Sequence, residues 1–396
     1  MIASLRASFN ASWTEERYER MLAELEASTG PVAFPISETP CFFPASLMRR
    51  LSSAGEELTI QALSGDAASA AQRAVPDRYQ GPNQGERPIF VQVDFGLTRS
   101  DEGTIEPKLV ELQAFPSLYA FQPVLADAYA SVFELPATLQ SHLDGLSRKE
   151  YLQIARDAIV GSHDPSEVVL MEIDPERQKT RPDFVMTERL WGVRAIDVGE
   201  VVRDGQTLCY RRDGLLTRIR RIYNRVIPDE LERKAIALPF DYRDDLDVEW
   251  AGHPAWYFRI SKFSIPRLRH PAVPRTWFLH EVDALPLDRA QLVLKPLFSF
   301  AGGGIVFAPS GEQLQVIPPS ERDRYILQER ISFEPVIDTP HGLTQAEIRL
   351  MYIWTDRLRP VLALIRMGRG QMMGVDHNKG LRWVGASAAF IESVRV

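Results

Sequence analysis

Three things are scarce in this sequence: cysteine, long apolar runs and net positive charge. Its 396 residues include two cysteines, Cys41 and Cys209, whose spacing is not that of metal ligands. The sequence therefore excludes a disulfide framework and a thiolate zinc site, and it favours a reducing compartment. The formal net charge of −7 argues against a general nucleic-acid binder, because contacts to many phosphates need a basic face.

Apolar residues are plentiful but never continuous enough for a membrane segment. They make up 45% of the chain, a share typical of globular proteins, yet no run reaches the roughly 18 residues that a spanning helix needs. The N-terminal segment also lacks the apolar core of a signal peptide. We therefore expect a cytoplasmic protein with no membrane or nucleic-acid partner. The sequence leaves the oligomeric state open between a monomer and a homodimer.

Local patterns predict a mixture of helices and strands. The length of 396 residues is typical of two or three packed lobes. The first 88 residues are mostly helical in pattern, and helices are also predicted over Ala126–Leu143 and Arg148–Val160. From Glu167 onward short strands alternate with helices, which predicts a small α/β lobe with some parallel strands. Residues 291–390 are again rich in strand-forming residues.

A lysine-bearing strand followed by three glycines is the most informative motif. Leu292–Pro296 reads as a strand that carries Lys295, and Ile305–Phe307 reads as its partner. Between them lie Gly302, Gly303 and Gly304, whose bare backbone lets N–H groups approach an anion. No Gly-Lys-Ser/Thr follows, so the loop is not of the Walker A type. The motif predicts a phosphate site, and the alternative is a plain β-hairpin with a flexible turn.

Oxygen-bearing side chains gather on a second predicted hairpin. Asp94 and Glu111 are equidistant from a turn at 99–104, so they are expected to face each other, and Gln113 shares a strand face with Glu111. Two facing carboxylates are unfavourable unless a cation neutralises them, and a hard divalent ion would do so. The alternative is a solvated hairpin face. The apolar neighbours of Glu111 favour the metal site.

Two further segments could serve a nucleotide. Lys262, like Lys295, lies among apolar residues, and a lone lysine there would be read as a surface side chain. The segment Arg324–Ile331 is an apolar strand that ends in the polar residues Gln328 and Glu329. Such a strand suits an adenine-binding slot in which backbone groups hydrogen-bond to the base and a carboxylate hydrogen-bonds to the ribose hydroxyls. A buried edge strand is the alternative.

Arginines cluster in the segment Arg218–Arg225. Alternation along a strand would place Arg221 and Tyr223 on one face. The planar guanidinium group suits carboxylate or phosphate oxygens, which makes Arg221 and Arg225 candidates for substrate binding. The alternative is a structural ion-pair network with the nearby acidic residues Asp229, Glu230 and Glu232.

Taken in order, these motifs resemble the ATP-grasp superfamily. The resemblance is to the permuted arrangement of eukaryotic-type glutathione synthetase and glutathionylspermidine synthetase-like ligases, and it covers roughly residues 90–130 and 215–392. Lys295 with the glycine triplet resembles the phosphate-binding lysine and loop of that family, and Tyr325–Ile331 resembles its adenine hinge. Glu347 looks like its nucleotide-side carboxylate, and Arg366 like the arginine before its final loop.

The resemblance implies a fold, an activity and a set of roles. The expected fold is α/β (α+β), an ATP-grasp fold with permuted connectivity and an inserted α/β substrate lobe. The implied regions are 1–88 (mostly helical), 89–145 (metal-binding hairpin and helix), 146–235 (substrate lobe) and 236–396 (nucleotide-binding lobes). The implied activity is an ATP-dependent ligase that joins a small carboxylate and an amine, amino-acid or peptide-like, through an acyl phosphate.

The implied site uses ATP and Mg²⁺. Residues expected to bind ATP are Lys262, Lys295, Gly302, Gly303, Gly304, Gln328, Glu329 and Glu347. Residues expected to bind the metal are Asp94, Glu111 and Gln113, and those expected to stabilise the reacting groups are Arg366, Arg221 and Arg225.

This chain departs from the family pattern at three positions. Gln113 stands where the family has asparagine, Ala301 where it has an acidic residue, and Gly368 where it has a lysine that Arg369 or Lys379 would have to replace. Two rival functions stay open. One is an ATP-grasp phosphotransferase that stops at phosphate transfer. The other is a non-catalytic nucleotide-binding protein with a degraded site, which Ala301 and Gln113 favour.

Overall fold

The computed structural model describes residues 1–282, 288–299, 302–374, 377–378 and 380–392. The fold is α+β, as the sequence predicted. The described helices are α1 (Ala3–Ser12), α2 (Glu15–Thr29), α3 (Ala45–Ala62), α4 (Gly65–Arg73), α5 (Phe121–Val132), α6 (Arg148–Val160), α7 (Arg181–Trp191), α8 (Pro228–Arg233), α9 (Ala255–Arg259) and α10 (Gly311–Val316). None of them is both long and apolar enough to cross a membrane.

The strands form four sheets within the described residues. The strands are β1 (Cys41–Phe43), β2 (Phe90–Arg99), β3 (Ile105–Gln113), β4 (Leu139–Gln140), β5 (Val168–Glu172), β6 (Arg194–Asp197), β7 (Val202–Asp204), β8 (Thr207–Arg212), β9 (Leu215–Ile219), β10 (Arg221–Asn224), β11 (Glu249–Ala251), β12 (Thr276–Phe278), β13 (Leu292–Pro296), β14 (Val306–Phe307), β15 (Tyr325–Glu329), β16 (Gln345–Trp354), β17 (Leu358–Gly368) and β18 (Gly385–Glu392).

The largest sheet runs in the order β1-β18-β17-β16-β2-β3, with β4 paired to β18. Helix α3 covers one face, because its apolar residues Leu47, Leu51 and Leu58 recur at helical spacing and pack in one core with Val93 and Ile348. Helix α5 covers part of the opposite face through a second core. The rest of that opposite face carries polar side chains, and there the candidate site lies.

A second sheet consists of parallel strands in the order β11-β10-β5-β6. Its central strand β5 is buried along its whole length, as expected for a strand covered on both faces. The predicted α/β lobe with parallel strands is therefore present. The sheet takes its outer strand β11 from beyond residue 235, where the lobe was expected to end. The strands β7, β8 and β9 form a small antiparallel sheet of their own.

The remaining sheet, β12-β15-β13-β14, contains the glycine hairpin. Strand β13 pairs with β14 in antiparallel fashion, which confirms the predicted arrangement of strand, glycine loop and strand. Strand β15 pairs with both β12 and β13, so the edge-strand alternative for Arg324–Ile331 is wrong.

One helix prediction is also wrong. The structure has α5 at Phe121–Val132, five residues earlier than the predicted start and eleven earlier than the predicted end at Leu143. The observed helix includes Pro123, which is tolerated in the first turn of a helix because the N–H groups there have no partner within the helix. After Val132 the chain turns through Glu134, which has a positive φ of 52°, and then forms the short strand β4.

Candidate functional site

The β2–β3 hairpin brings Asp94 opposite Glu111, which confirms the predicted pairing. This pairing depends on a β-bulge that the sequence analysis did not predict. Near the turn Arg99 pairs with Ile105, and continued regular pairing would place Val110 opposite Asp94. A β-bulge at Asp94/Phe95 shifts the register by one residue and places Glu111 there instead.

Neighbouring strands add charged residues to the same face of the sheet. Arg349 on β16 stands directly opposite Asp94, and Glu347 stands opposite both Gly96 on β2 and Arg366 on β17. Directly opposed residues in an antiparallel ladder project to the same face. The ladder therefore gathers these charged side chains into one cluster on four adjacent strands, β3, β2, β16 and β17.

Asp94 is the centre of this cluster and is 2% exposed. Arg349 clamps its carboxylate with two bonds, Nε to Oδ1 at 2.6 Å and Nη2 to Oδ2 at 2.5 Å. Arg366 donates a third bond to Oδ2 at 3.0 Å and also pairs with Glu347. Burial alone would raise the pKa of Asp94, but the two guanidinium groups outweigh it and hold that pKa below its usual value.

Both predicted lysines reach the same cluster. Lys262 Nζ lies 3.5 Å from Glu111 Oε2 and donates to the Ser299 carbonyl at 2.8 Å. Lys295 Nζ donates at 3.0 Å to the carbonyl of Val110, the residue displaced from regular pairing by the bulge. The pKa of Lys295 is lowered to about 8, chiefly by burial; the carboxylate of Glu111 raises this pKa, and the charge of Lys262 contributes to lowering it.

The glycine loop requires glycine at two of its three positions. Gly302 and Gly304 have φ values of +75° and +72°, where side chains are rarely tolerated. A Cβ atom would stand 2.5 Å from Met372 Cε at Gly302 and 2.8 Å from Pro296 Cγ at Gly304. Gly303 lies exposed between them. The predicted departure at Ala301 and the possible substitute Lys379 lie outside the described residues.

The proposed adenine strand has most of its polar groups occupied. Gln328 is buried and donates to Thr276 Oγ1 at 3.2 Å. Glu329 accepts a bond from Arg275 Nε at 2.6 Å, and its backbone N–H donates to the Arg275 carbonyl. Arg275 is 79% exposed, so a ligand could displace its side chain from Glu329. The nucleotide roles of Gln328 and Glu329 stay predictions.

The two arginines of the parallel sheet are held by other groups. Arg221 donates to the carbonyls of Ala158 and Ile159 at the end of α6 and pairs with Glu249. Arg225 forms a buried ion pair with Asp183 at 3.2 Å. An ion-pair network was the alternative for these arginines, but the predicted acidic partners Asp229, Glu230 and Glu232 are not the ones found.

Within the described residues, neither Arg221 nor Arg225 forms a hydrogen bond or ion pair with the Asp94 cluster. Their catalytic roles therefore stay predictions. The structure does bring together Asp94, Glu111, Lys262, Lys295, Glu347 and Arg366, which lie far apart in the sequence.

Sequence analysis missed two members of the site, Arg349 and Gln92. Arg349 donates from Nη1 to Gln92 Oε1 at 3.0 Å, and Gln113 Nε2 donates to the same oxygen at 2.8 Å. The signal for Arg349 was available, because a strand that carries Glu347 on one face carries the residue two positions later on the same face. The same signal marked Gln92, which lies two positions before Asp94 on β2.

The three predicted metal ligands do not, as they stand, fit a hard cation. Both oxygens of Asp94 already accept bonds from guanidinium groups, and the Gln113 amide is turned toward Gln92. Among the described residues no group of three or more His, Cys, Asp or Glu side chains is arranged to hold a metal ion. The involvement of Mg²⁺ stays a prediction.

No family model and no curated protein matches this sequence. A solved structure does match: a glutathione synthetase-like effector from Globodera pallida, in its apo form. The TM-score is 0.59, the sequence identity is 11%, and the match covers 98% of each chain. The chain has a glutathione synthetase-like fold. At this identity the likeness establishes the fold alone, so the resemblance to glutathione synthetase-like proteins is confirmed at that level.

Proposed function

We propose that this chain is an ATP-dependent carboxylate–amine ligase with an ATP-grasp type of nucleotide site. The observation that carries the proposal is the convergence of two buried lysines on one polar sheet face, where Lys262 also bonds to Ser299, three residues before the glycine triplet. Four cationic side chains, Lys262, Lys295, Arg349 and Arg366, meet three carboxylates, Asp94, Glu111 and Glu347. One positive charge is left over, which favours an anionic ligand.

In this proposal each group of the site has a simple task. Lys295 and Lys262 bind phosphate oxygens, and the backbone of the glycine loop closes beside them. ATP supplies the activated phosphoryl group that turns a carboxylate into a good acyl donor, and an amine then displaces phosphate. Arg366, held by Asp94 and Glu347, is oriented to stabilise negative charge on the reacting groups.

We place the proposed carboxylate and amine substrates at the edge of the parallel sheet beyond the carboxyl ends of β5 and β10. In open parallel sheets ligands bind beyond the carboxyl ends of the strands, where the strand order reverses. Here the reversal falls between β5 and β10, because β6 lies on one side of β5 and β10 on the other. Arg225 follows β10 and lies 5.5 Å from the ring of Phe115, two residues after Gln113. Phe115 thus connects this edge to the end of β3.

A second candidate is a nucleotide-binding protein without catalysis. The saturation of Asp94 by two arginines favours it, since that carboxylate is then unavailable for reaction chemistry. Measurement of ADP release against panels of amino acids and amines distinguishes the candidates. A ligase needs two co-substrates together, a phosphotransferase responds to one, and a binding protein to neither.

Replacing Lys295 by methionine is expected to weaken ATP binding about tenfold to a hundredfold, the usual worth of one hydrogen bond to a charged group. Methionine keeps the length and apolar stem of lysine, so the fold should survive. Isothermal titration calorimetry with ATP measures the effect. Lys149→Met, at an exposed position of α6, is the control and should bind like the wild type. Unchanged ATP affinity in Lys295→Met would show that the lysine is structural.

The affinity for ATP should also depend on pH. Burial lowers the pKa of Lys295 to about 8, so its positive charge is lost as the pH rises through that value. Because this folded-state pKa lies below the usual one, the buried charge costs stability at neutral pH and deprotonation relieves the cost. A fall in affinity from about pH 7 to about pH 9 would thus not come from unfolding at this lysine. Lys295→Met should show a flat profile over the same range.

A further inference from the structure

One nitrogen atom connects two of the predicted metal ligands. Arg349 Nη2 lies 2.5 Å from Asp94 Oδ2 and 3.9 Å from Glu111 Oε1. Arg349 Nη1 donates to Gln92 Oε1, the same oxygen that accepts from Gln113. The guanidinium group therefore contacts Asp94 and Glu111 directly and Gln113 through Gln92.

We propose that the Arg349 guanidinium occupies the position of a divalent cation between Asp94 and Glu111, so that the folded protein holds no metal site of its own there. The facing carboxylates that first suggested a metal are neutralised by a side chain instead. A Mg²⁺ ion would need oxygen ligands at about 2.0–2.1 Å. The guanidinium nitrogens fill the space where those ligands would meet.

Strand pairing in the sheet holds Arg349 beside Asp94. It pairs with Asp94 in the β2–β16 ladder, is 7% exposed and forms a bidentate pair with the carboxylate. Gln92 is held in turn, because its Nε2 donates to the Ser117 carbonyl at 2.8 Å. The guanidinium is covalently part of the chain, so unlike a bound metal ion this cation cannot dissociate from the site.

Because of this arrangement, binding of an anionic ligand does not depend on prior binding of a metal ion. A cation that belongs to the chain supplies positive charge in the absence of metal, whereas a site of bare carboxylates would repel phosphate until a metal bound. The inference concerns the site of the proposed function, but it rests on the protein's own contacts and its test contains no nucleotide.

The test is a titration with Mn²⁺ alone, followed by the electron paramagnetic resonance signal of the free ion. The wild type is expected to bind Mn²⁺ only weakly at this site. Arg349→Met removes the guanidinium and leaves Asp94 facing Glu111, so it is expected to bind Mn²⁺ at least about tenfold more tightly. The double variant Arg349→Met/Glu111→Gln should bind Mn²⁺ as weakly as the wild type.

The control is Arg357→Met. Arg357 pairs with Asp144 at the turn between β16 and β17, at the far end of the same two strands, and its loss should leave Mn²⁺ binding unchanged. A folded Arg349→Met variant with no gain in affinity would overturn the proposal. So would tight Mn²⁺ binding by the wild type that Glu111→Gln removes, and this second measurement needs no Arg349 variant. Failure of the proposed function would appear separately, as absent ATP binding in the calorimetry.

Discussion

Replacing Asp94 by asparagine is expected to lower the free energy of unfolding by about 3–5 kcal/mol, because it removes the carboxylate that holds the buried Arg349 guanidinium in a bidentate pair. Asp94 is 2% exposed and accepts bonds from both Arg349 and Arg366. Asparagine keeps the size of the side chain, so the loss would report charge and hydrogen bonding and not a cavity. Urea denaturation followed by circular dichroism measures the change.

Asp144→Asn is the matched control for this prediction. Asp144 also pairs with two arginines, Arg357 and Arg359, but its side chain is 28% exposed. Solvent screening limits such a pair, so the loss should stay below about 1 kcal/mol. If the two variants lost equal stability, the clamp on Asp94 would be no stronger than a surface ion pair. The sign of the stability change in Asp94→Asn also tests the metal interpretation of the hairpin. If Asp94 and Glu111 were an empty metal site, removing one of the two facing charges would raise the free energy of unfolding.

Replacing Asp183 by alanine is expected to be similarly severe, with a loss of at least about 3 kcal/mol. Asp183 lies at the start of α7 and is fully buried. Its carboxylate accepts bonds from the backbone N–H groups of Leu118, Ala120 and Phe121 and from Arg225. Truncation would leave three N–H donors at the start of α5 without acceptors and a buried arginine without its ion-pair partner. Thermal and urea unfolding both report the effect.

Asp164→Ala serves as the control for Asp183→Ala. Asp164 also accepts from a backbone N–H, that of Ser166, but the pair is exposed. Loss of this exposed cap is expected to destabilise the protein much less than loss of Asp183. A small effect at Asp183 would mean that water or a rearranged loop satisfies the start of α5, and that Arg225 does not depend on this ion pair.

Local patterns were sufficient where the cause is local. The glycine triplet predicted a hairpin because glycine adopts a positive φ, as Gly302 and Gly304 do, more readily than any other residue. Arg148–Val160 was predicted with its observed bounds, since Ser147 and Glu150 form a capping box at its start. The β2–β3 turn was likewise evident from its polar residues between two strand-forming runs.

Contacts between residues far apart in the sequence determined the features that local patterns did not predict. Helix α5 starts before Pro123 because Asp183, about sixty positions later, caps its first N–H groups. The pairing of Asp94 with Glu111 was predicted by symmetry, yet it depends on a bulge that regular symmetry does not include. The partners of Arg221 and Arg225 come from β11 and α7, not from the acidic residues that follow them in the chain.

Local patterns alone were enough to predict the α+β class, the glycine hairpin and four charged residues of the Asp94 cluster, because periodicity and backbone preference are properties of neighbouring residues. Glu347 and Arg366 were predicted only through the family resemblance. Only the tertiary structure decided how those charges are balanced. Strand order placed Arg349 opposite Asp94, although 255 positions separate them along the chain. Whether a carboxylate faces a metal, a ligand or an arginine depends on which strand lies beside it, and the order of strands in a sheet is set by long-range packing that no local pattern encodes.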